Sequence, residues 1–376
     1  MPVRIRAVAG STDLRRFIDL PYRLHAGEPR WAPPLRLDVR RRLTPRSNPF
    51  FDHGDAAYFL AERDGVSVGR IAAIANRLHD DTHADGAGFF GFFECTDDSA
   101  VARELFGVAS DWVRARGYRV LRGPASFSTN DECGLLTDGF DTPPTILTPW
   151  NPRYYVPLVE GAGFRAVKDL WGFEGGHPEH PQPVPPRLAR ATAQLGARLG
   201  VTLRPLDPRR FSAEVDRVRS AYNAAWERNW GFVPMTDREL DHMARELRPI
   251  LIPDLVPFAE RAGEVVGFGL ALLDLNEVLL RNRSGRLVPG VLRILWALRR
   301  KRFRRARILL LGVRPDDRSK GIDALLWSWI WTRAARHGIS WGEASWILED
   351  NAGMRNAAER MGFRAYKTWR LYDRPA

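Results

Sequence analysis

The stretch Arg307–Leu326, RILLLGVRPDDRSKGIDALL, constrains this chain more than any other. Ile308–Val313 is a run of strand-forming residues that breaks at Pro315. A short polar loop with one glycine follows, and the pattern predicts a helix opening at or near Gly321. A strand that passes through such a loop into a helix N-terminus makes an anion site. The first-turn N–H groups lack partners, and the helix dipole puts about half a positive charge there.

At 376 residues the chain is long enough for two domains. Its formal charge of +12 is carried almost wholly by arginine, since Lys168, Lys301, Lys320 and Lys367 are its only lysines. That excess favours anionic partners: a phosphorylated cosubstrate, anionic lipid or nucleic acid. Two cysteines, Cys95 and Cys133, make neither a disulfide framework nor a metal site and are read as free thiols. No apolar stretch approaches the ~20 residues a spanning helix needs, and the N-terminus lacks a signal-peptide core. The expected setting is the cytoplasm, either free or peripheral on the inner membrane.

Along the chain, Val3–Val8 alternates like a strand, and Ser11 is placed to cap a helix. Residues 27–50, rich in Pro and Arg, read as a loop. Asp64-Gly65 and Ala262-Gly263 each mark a hairpin between two strands. Ser99 is expected to cap a helix ending near Gly117, ahead of a strand at Tyr118–Gly123. Residues 175–186, GGHPEHPQPVPP, form a linker stiffened by proline. The same element order recurs beyond it, without self-similarity in residues. The predicted organisation is therefore 1–174, a linker at 175–186, and 187–376. The fold class is α/β, layered, with two mixed and partly parallel sheets flanked by helices.

Val313, Pro315, Arg318, Gly321 and Leu325-Leu326 resemble the acyl-CoA loop of the GNAT acyltransferase superfamily, V-x-P-x-x-R-x-x-G-x-G/A. The last position departs, because Asp323 replaces a small residue. Asn351–Phe363, NAGMRNAAERMGF, is similar to the family's C-terminal block, with Asn351, Gly362 and Phe363 in register. Ala358 stands where many members carry a tyrosine that protonates the leaving thiolate. The first half resembles the same fold by element order but lacks the loop, as in tandem folds of the N-myristoyltransferase and Fem kind. The resemblance thus implies two GNAT-like domains, acyl-CoA as cosubstrate in the second only, and no metal. Blocks GPASFSTNDECGLL, YNAAWERNWGF and ELDHMARELRP resemble those of bacterial double-GNAT proteins, among them the ceramide synthase type that acylates a sphingoid base.

On that resemblance, cofactor contacts fall to Val313, Arg314, Arg318, Ser319, Lys320, Gly321, Ile322 and Asn351. A splayed strand would turn a free N–H near Val313 toward the thioester oxygen. Removing the amine's proton calls for a carboxylate of raised pKa. Glu343 and Glu349 share strand parity with Ser345, and Asp274, Asp131 and Glu132 are further candidates. Tyr222, Asn229 and Trp230 border the acceptor in this superfamily, although packing accounts equally well for both aromatics. Trp327 and Trp331 share one helix face and fit plain core better than an acyl-chain wall. His337 is better placed as a helix cap than as a catalyst.

An insertion at Asn276–Arg305 brings the run Val288–Arg307, which sets Val291, Leu292, Ile294, Leu295, Trp296 and Leu298 beside Arg299, Arg300, Lys301, Arg302, Arg304, Arg305 and Arg307. It is too short to span a bilayer but suited to lie on an anionic one. A packed helix with a solvated basic end explains it equally well. The reading is an acyl-CoA N-acyltransferase of long-chain donors acting on a lipidic amine such as a sphingoid base. A soluble acetyltransferase of a small amine, or a non-catalytic CoA- or nucleic-acid-binding protein, are the other readings. Nucleic acid is disfavoured because the basic residues neighbour aliphatics instead of interleaving with stacking aromatics.

Overall fold

The computed structural model of the chain describes every residue except Met1, Pro178 and Arg228, and every side chain except those three and Ala221, Ala224 and Ala225. Pro178 falls in the expected linker and Arg228 in the acceptor block. The strands are β1 (Arg4–Ala7), β2 (Gly54–Arg63), β3 (Val66–Asn76), β4 (Ala87–Cys95), β5 (Val120–Gly123), β6 (Leu135–Asp138), β7 (Arg165–Gly176), β8 (Thr202–Pro205), β9 (Pro257–Arg261), β10 (Glu264–Leu273), β11 (Arg305–Val313), β12 (Trp341–Leu348) and β13 (Arg364–Pro375). The helices are α1 (Gly10–Leu24), α2 (Arg36–Arg42), α3 (Arg77–His83), α4 (Ser99–Arg114), α5 (Tyr155–Gly161), α6 (Pro186–Leu199), α7 (Phe211–Trp226), α8 (Asp237–Leu247), α9 (Asn276–Leu279), α10 (Leu287–Arg299), α11 (Ile322–Arg336) and α12 (Ala352–Arg360).

Two compact units result. The first takes residues 1–170, 278–294 and 367–376, and the second takes 171–277 and 295–366. The sequence alone assigns 278–294 to the second domain, but hydrogen bonds tie it to the first unit. Arg283 donates to the carbonyls of His25, Glu28 and Trp31 at 2.9, 2.9 and 2.7 Å, and Arg36 N donates to Gly285 O at 2.9 Å.

In the first unit the strands run β1-β2-β3-β4-β5-β13, with β6 also on β13. The β2–β3 hairpin turns at Asp64 and Gly65, both with positive φ, as its Asp-Gly sequence predicts. Helix α4 buries Val101, Leu105, Phe106 and Val113 in a core with Phe90, Phe93 and Tyr155. Two helix starts differ from expectation. The first helix begins at Gly10, where Asp13, not Ser11, accepts the Ala9 N–H at 3.2 Å. The cap of α4 is Asp98, not Ser99. Residues 27–50 are not all loop, because RLDVRRR forms α2 from good helix formers around buried Val39.

In the second unit β12-β11-β10-β9-β8 pair in that order, with the end of β7 beside β12. Among the described residues of the β8–β12 ladders, only β11 and β12 run parallel. The two faces of β10 follow from strand alternation. A side chain at Gly267 or Gly269 would strike Ile322 or Ile330 of α11, whereas Phe268 meets Trp226 of α7 at 5.8 Å. Helices α7 and α11 therefore cover opposite faces. Trp327 is core, packed edge-on to Phe363 at 5.0 Å, and His337 caps α11. Trp331 donates to Gln182 O at 2.8 Å. Cys95 and Cys133 are both buried. No helix among the described residues is long and apolar enough to cross a membrane.

Candidate active site

The loop after β11 is held from beneath by a buried carboxylate. Asp317 accepts from Lys320 at 2.9 Å and pairs with Arg261 at 2.7 Å. Burial alone would raise its pKa, but those two cations hold it below the ordinary aspartate value. Lys320, expected on the cofactor, is thus engaged in bracing the loop. Arg314 pairs with exposed Glu264 at 3.0 Å, and Arg318 is exposed. Ser319 and Gly321 both take positive φ, +60° and +87°. Gly321 is the N-cap of α11 and has no side chain to offer the first turn. The backbone conformation requires glycine, and a Cβ there would lie 2.7 Å from the side-chain tip of Leu195 on α6, which would have to shift. Ile322 drops into a core of Val201, Ala259, Val266, Leu325 and Leu326, with Val313 packed against it.

The first unit offers an instructive contrast. Its helix α4 likewise follows a strand and precedes a parallel one, since β4 and β5 pair in parallel. There Asp98 accepts the N–H groups of Ala100 and Val101 at 2.9 and 3.3 Å, and Arg63 pairs with its other oxygen at 2.8 Å. The protein's own carboxylate fills that anion site. At the corresponding place in the second unit, Gly321 makes no side-chain cap bond to α11 among the described residues.

Ladder geometry opens a gap between β11 and β12. Their pairing runs only from Arg305↔Trp341 to Ile308↔Ala344, although both strands continue. On its other side β11 pairs with β10 through Val313, with a bulge at Leu309, because Leu270 faces Leu310 while Ala271 faces Ile308. A bulge reverses the side-chain alternation beyond it. Leu310 and Gly312 pair with the even-numbered residues of β10 that look toward α7. Without the bulge Arg307 would face α11; with it, Arg307 pairs with Leu272 and faces α7.

Asp274, Arg305, Arg307, Trp341, Glu343 and Ser345 all fall on that face. Arg307 Nε donates to Ser345 Oγ at 2.9 Å and its Nη2 to Ser345 O at 3.0 Å, while Trp346 lies under the guanidinium at 4.9 Å. Ser345 Oγ and the Tyr366 hydroxyl both donate to Glu343. Glu343 is fully buried, and burial together with its charge pushes the Tyr366 hydroxyl well above its ordinary pKa. Asp274, also buried, pairs with Arg305 at 3.2 Å. Burial raises its pKa to about 7; Arg305 opposes the shift, and Glu277 and Glu343 add to it. Two carboxylates expected from sequence are therefore electrostatic neighbours.

The remaining expected residues lie elsewhere. Glu349 sits in the turn beyond β12, not on the strand with Ser345. Glu132 belongs to the first unit and pairs there with Arg42 at 3.4 Å. Asn351 caps α12 by accepting Met354 N at 3.1 Å. Tyr222 is buried, with Trp226 at 4.8 Å and Phe232 at 5.8 Å, on the helix covering the carboxylate face. Asn229 and Trp230 follow that helix in the turn, both half-exposed. Arg305 and Arg307 do not belong to a basic surface patch: one pairs with Asp274 and the other is buried. Sequence reasoning missed Arg307, Ser345 and Tyr366. Parity linked Ser345 to Glu343, but nothing in the sequence marked the bulge or brought Tyr366 across.

No family model matches the chain. It is 38% identical over 368 residues to the bacterial ceramide synthase of Caulobacter vibrioides (strain NA1000 / CB15N), covering 96% of this chain and 94% of that one. It is 34% identical over 377 residues to Protein YghO of Escherichia coli (strain K12), covering 98% and 95%. Among solved structures, a tandem GNAT protein from the clavulanic acid biosynthesis pathway superposes with a TM-score of 0.58 at 13% identity, over 99% of this chain and 98% of its own. A GCN5-related N-acetyltransferase from Sphaerobacter thermophilus gives 0.56 at 16% identity, over 99% and 95%.

Proposed function

The chain belongs to the family of the bacterial ceramide synthase and Protein YghO, on a tandem GNAT fold, and from that premise we propose how it transfers an acyl group from CoA to a lipidic amine. It is an acyl-CoA-dependent N-acyltransferase. The acceptor is a sphingoid base, the donor a long-chain acyl-CoA, and the product a ceramide or dihydroceramide. We place its work peripherally at the inner membrane, where a lipidic amine acceptor partitions.

The observation that carries the mechanism is the bulge at Leu309, which sets Arg307, Glu343 and Ser345 on the α7 face where β11 and β12 part. The CoA pyrophosphate lies on the open N-terminus of α11, against the backbone of 319–322, with Arg318 adding charge. The edge of β11 beyond Ile308, which has no ladder partner in β12 among the described residues, supplies N–H groups to the thioester oxygen. The amine approaches on the α7 face, beside Asn229 and Trp230. Its nitrogen bonds to the carbonyl carbon, the carbon–sulfur bond breaks, and the electron pair leaves on the CoA sulfur. The ammonium proton passes to Tyr366, which gives its own to Glu343. Arg307 and Ser345 hold that carboxylate, and Asp274, titrating near neutrality, takes the second place in the proton network. Ala358 leaves the usual tyrosine position empty, so Tyr366 is also the hydroxyl available to return a proton to the thiolate.

Mass spectrometry of purified protein with acyl-CoAs of graded length and a sphingoid base tests this reading. Formation of the N-acyl product, favouring long chains, is expected. Transfer only of acetyl groups to small amines would replace the lipid acceptor. Unchanged CoA affinity in Gly321→Val would overturn CoA binding at this loop.

A further inference from the structure

Among the described residues, seven large hydrophobic side chains are exposed, and five of them belong to α10: Leu287, Val288, Leu292, Leu295 and Trp296. Val288, Leu292, Leu295 and Trp296, exposed by 68, 60, 43 and 50%, follow i, i+4, i+7, i+8 spacing and so form one stripe along the helix. The opposite stripe is committed to the protein. Ala297 is buried, and a Cβ on Gly290 would stand 2.6 Å from Leu35 and 2.7 Å from Asn282. Arg293 donates to the carbonyl of Arg281. The exposed stripe is therefore a fixed ridge, not a loosely packed core helix turned outward by chance.

A basic cluster closes the ridge. Arg302 N donates to Ala297 O at 2.9 Å and Lys301 N to Leu298 O at 3.1 Å, with Lys301 at φ +48°, a C-terminal cap that folds the chain back beside the last turn. Arg299, Arg300, Lys301 and Arg302 are exposed, with no carboxylate partner among the described residues, and Arg302 lies over the Trp296 ring at 4.9 Å.

We infer that the α10 ridge and its basic cap dock on the surface of an anionic lipid bilayer, burying Val288, Leu292, Leu295 and Trp296 among the acyl chains. The chemistry selects this occupant. At 13 residues α10 extends about 20 Å, too short to cross the ~30 Å hydrocarbon core but suited to lie along it. A polyanion such as nucleic acid would engage the cations and leave the apolar stripe in water. A second copy would bring a like-charged cap toward this one. Apolar side chains seated among acyl chains, with cations level with anionic headgroups, satisfy both features. The inference gives the membrane placement above its surface, and it does not depend on the acyl-transfer chemistry.

Co-sedimentation of the full chain with vesicles tests it, using phosphatidylcholine alone and phosphatidylcholine mixed with phosphatidylglycerol. Binding to the mixed vesicles is expected, weakened roughly tenfold or more by high salt or by omitting phosphatidylglycerol. The Leu292→Glu/Trp296→Glu variant, and separately the Arg299→Gln/Arg300→Gln/Lys301→Gln/Arg302→Gln variant, should each lose binding by on the order of a hundredfold. CoA affinity, measured without vesicles, should stay unchanged in both, which shows that they fold and keeps this test separate from that of the enzyme. Equal vesicle binding by the wild type and the Leu292→Glu/Trp296→Glu variant would overturn the inference. So would a wild-type dimer in sedimentation that this variant dissociates, without vesicle binding by either.

Discussion

Arg307 and Glu343 face each other across the β11–β12 ladder at 3.8 Å, and Ser345 Oγ bridges them by accepting from the guanidinium and donating to the carboxylate. Both side chains are fully buried. Such a pair gains little over apolar packing, but removing one member strands the other's charge. Its place where the two strands separate suits Glu343 to the proton-accepting role proposed above.

Glu343→Gln should leave CoA affinity intact and lower kcat by about 10²–10⁴, the range for loss of a general base. Arg307→Met should instead destabilise the fold by about 3–5 kcal/mol, and Arg307→Met/Glu343→Gln should recover part of that loss. Denaturant unfolding of the three variants and steady-state assays check both. A kcat unaffected by Glu343→Gln would remove this residue from the proton path.

Tyr366→Phe keeps the ring against Trp341, 5.9 Å away, and deletes only the hydroxyl. If that hydroxyl relays the proton, kcat should fall by about 10²–10⁴ with little change in either KM. A rise in acceptor KM alone would mark Tyr366 as a binding group.

Asp274 makes stability depend on pH with a defined sign. Its pKa is raised from 3.8 to about 7, so the folded state binds the proton more tightly than the unfolded chain. Its contribution is favourable relative to high pH, fully present below about 4, and lost as pH rises through about 7. The amount at stake is roughly 4 kcal/mol. Asp274→Asn should therefore flatten the stability profile between pH 4 and 7, measured by urea unfolding. A profile unchanged in that window would show that Asp274 does not titrate there.

Gly321→Val should abolish CoA retention, because a β-branched residue is strained at φ of +87° and its Cβ would also displace the Leu195 side chain, 2.7 Å away. Asp98→Ala, the counterpart test in the first unit, should cost about 1 kcal/mol of stability and leave CoA binding unchanged. Isothermal titration with CoA and thermal unfolding separate the two outcomes.

Asp323 occupies the first turn of α11, where a carboxylate favours the helix dipole and opposes a bound pyrophosphate. Asp323→Ala should tighten CoA by about 2–5-fold and cost about 0.3–1 kcal/mol of stability. Weaker CoA binding in that variant would instead give Asp323 a part in holding the ligand.

Local chemistry made much of this protein legible in its sequence. Pro315 and Gly321 fixed the strand–loop–helix, and Asp64-Gly65 and Ala262-Gly263 fixed two hairpins. Each depends on residues within a few positions of one another, so spacing alone reveals it. Glu343 and Asp274 could be named as carboxylates on strands, but not brought together. Their shared face depends on one extra residue at Leu309, which shifts the register of β11 against β10 and reverses the sides of everything before it. Bulges are set by how two strands meet, and Leu309 looks like any other strand leucine. Tyr366, 23 residues beyond Glu343, reaches it only because the chain returns through α12. Likewise the basic run after α10 looks uniform as letters. Tertiary structure divides it, leaving Arg299–Arg302 in solvent and burying Arg307 beside the carboxylate, because the strand that begins at Arg305 must turn alternate side chains inward.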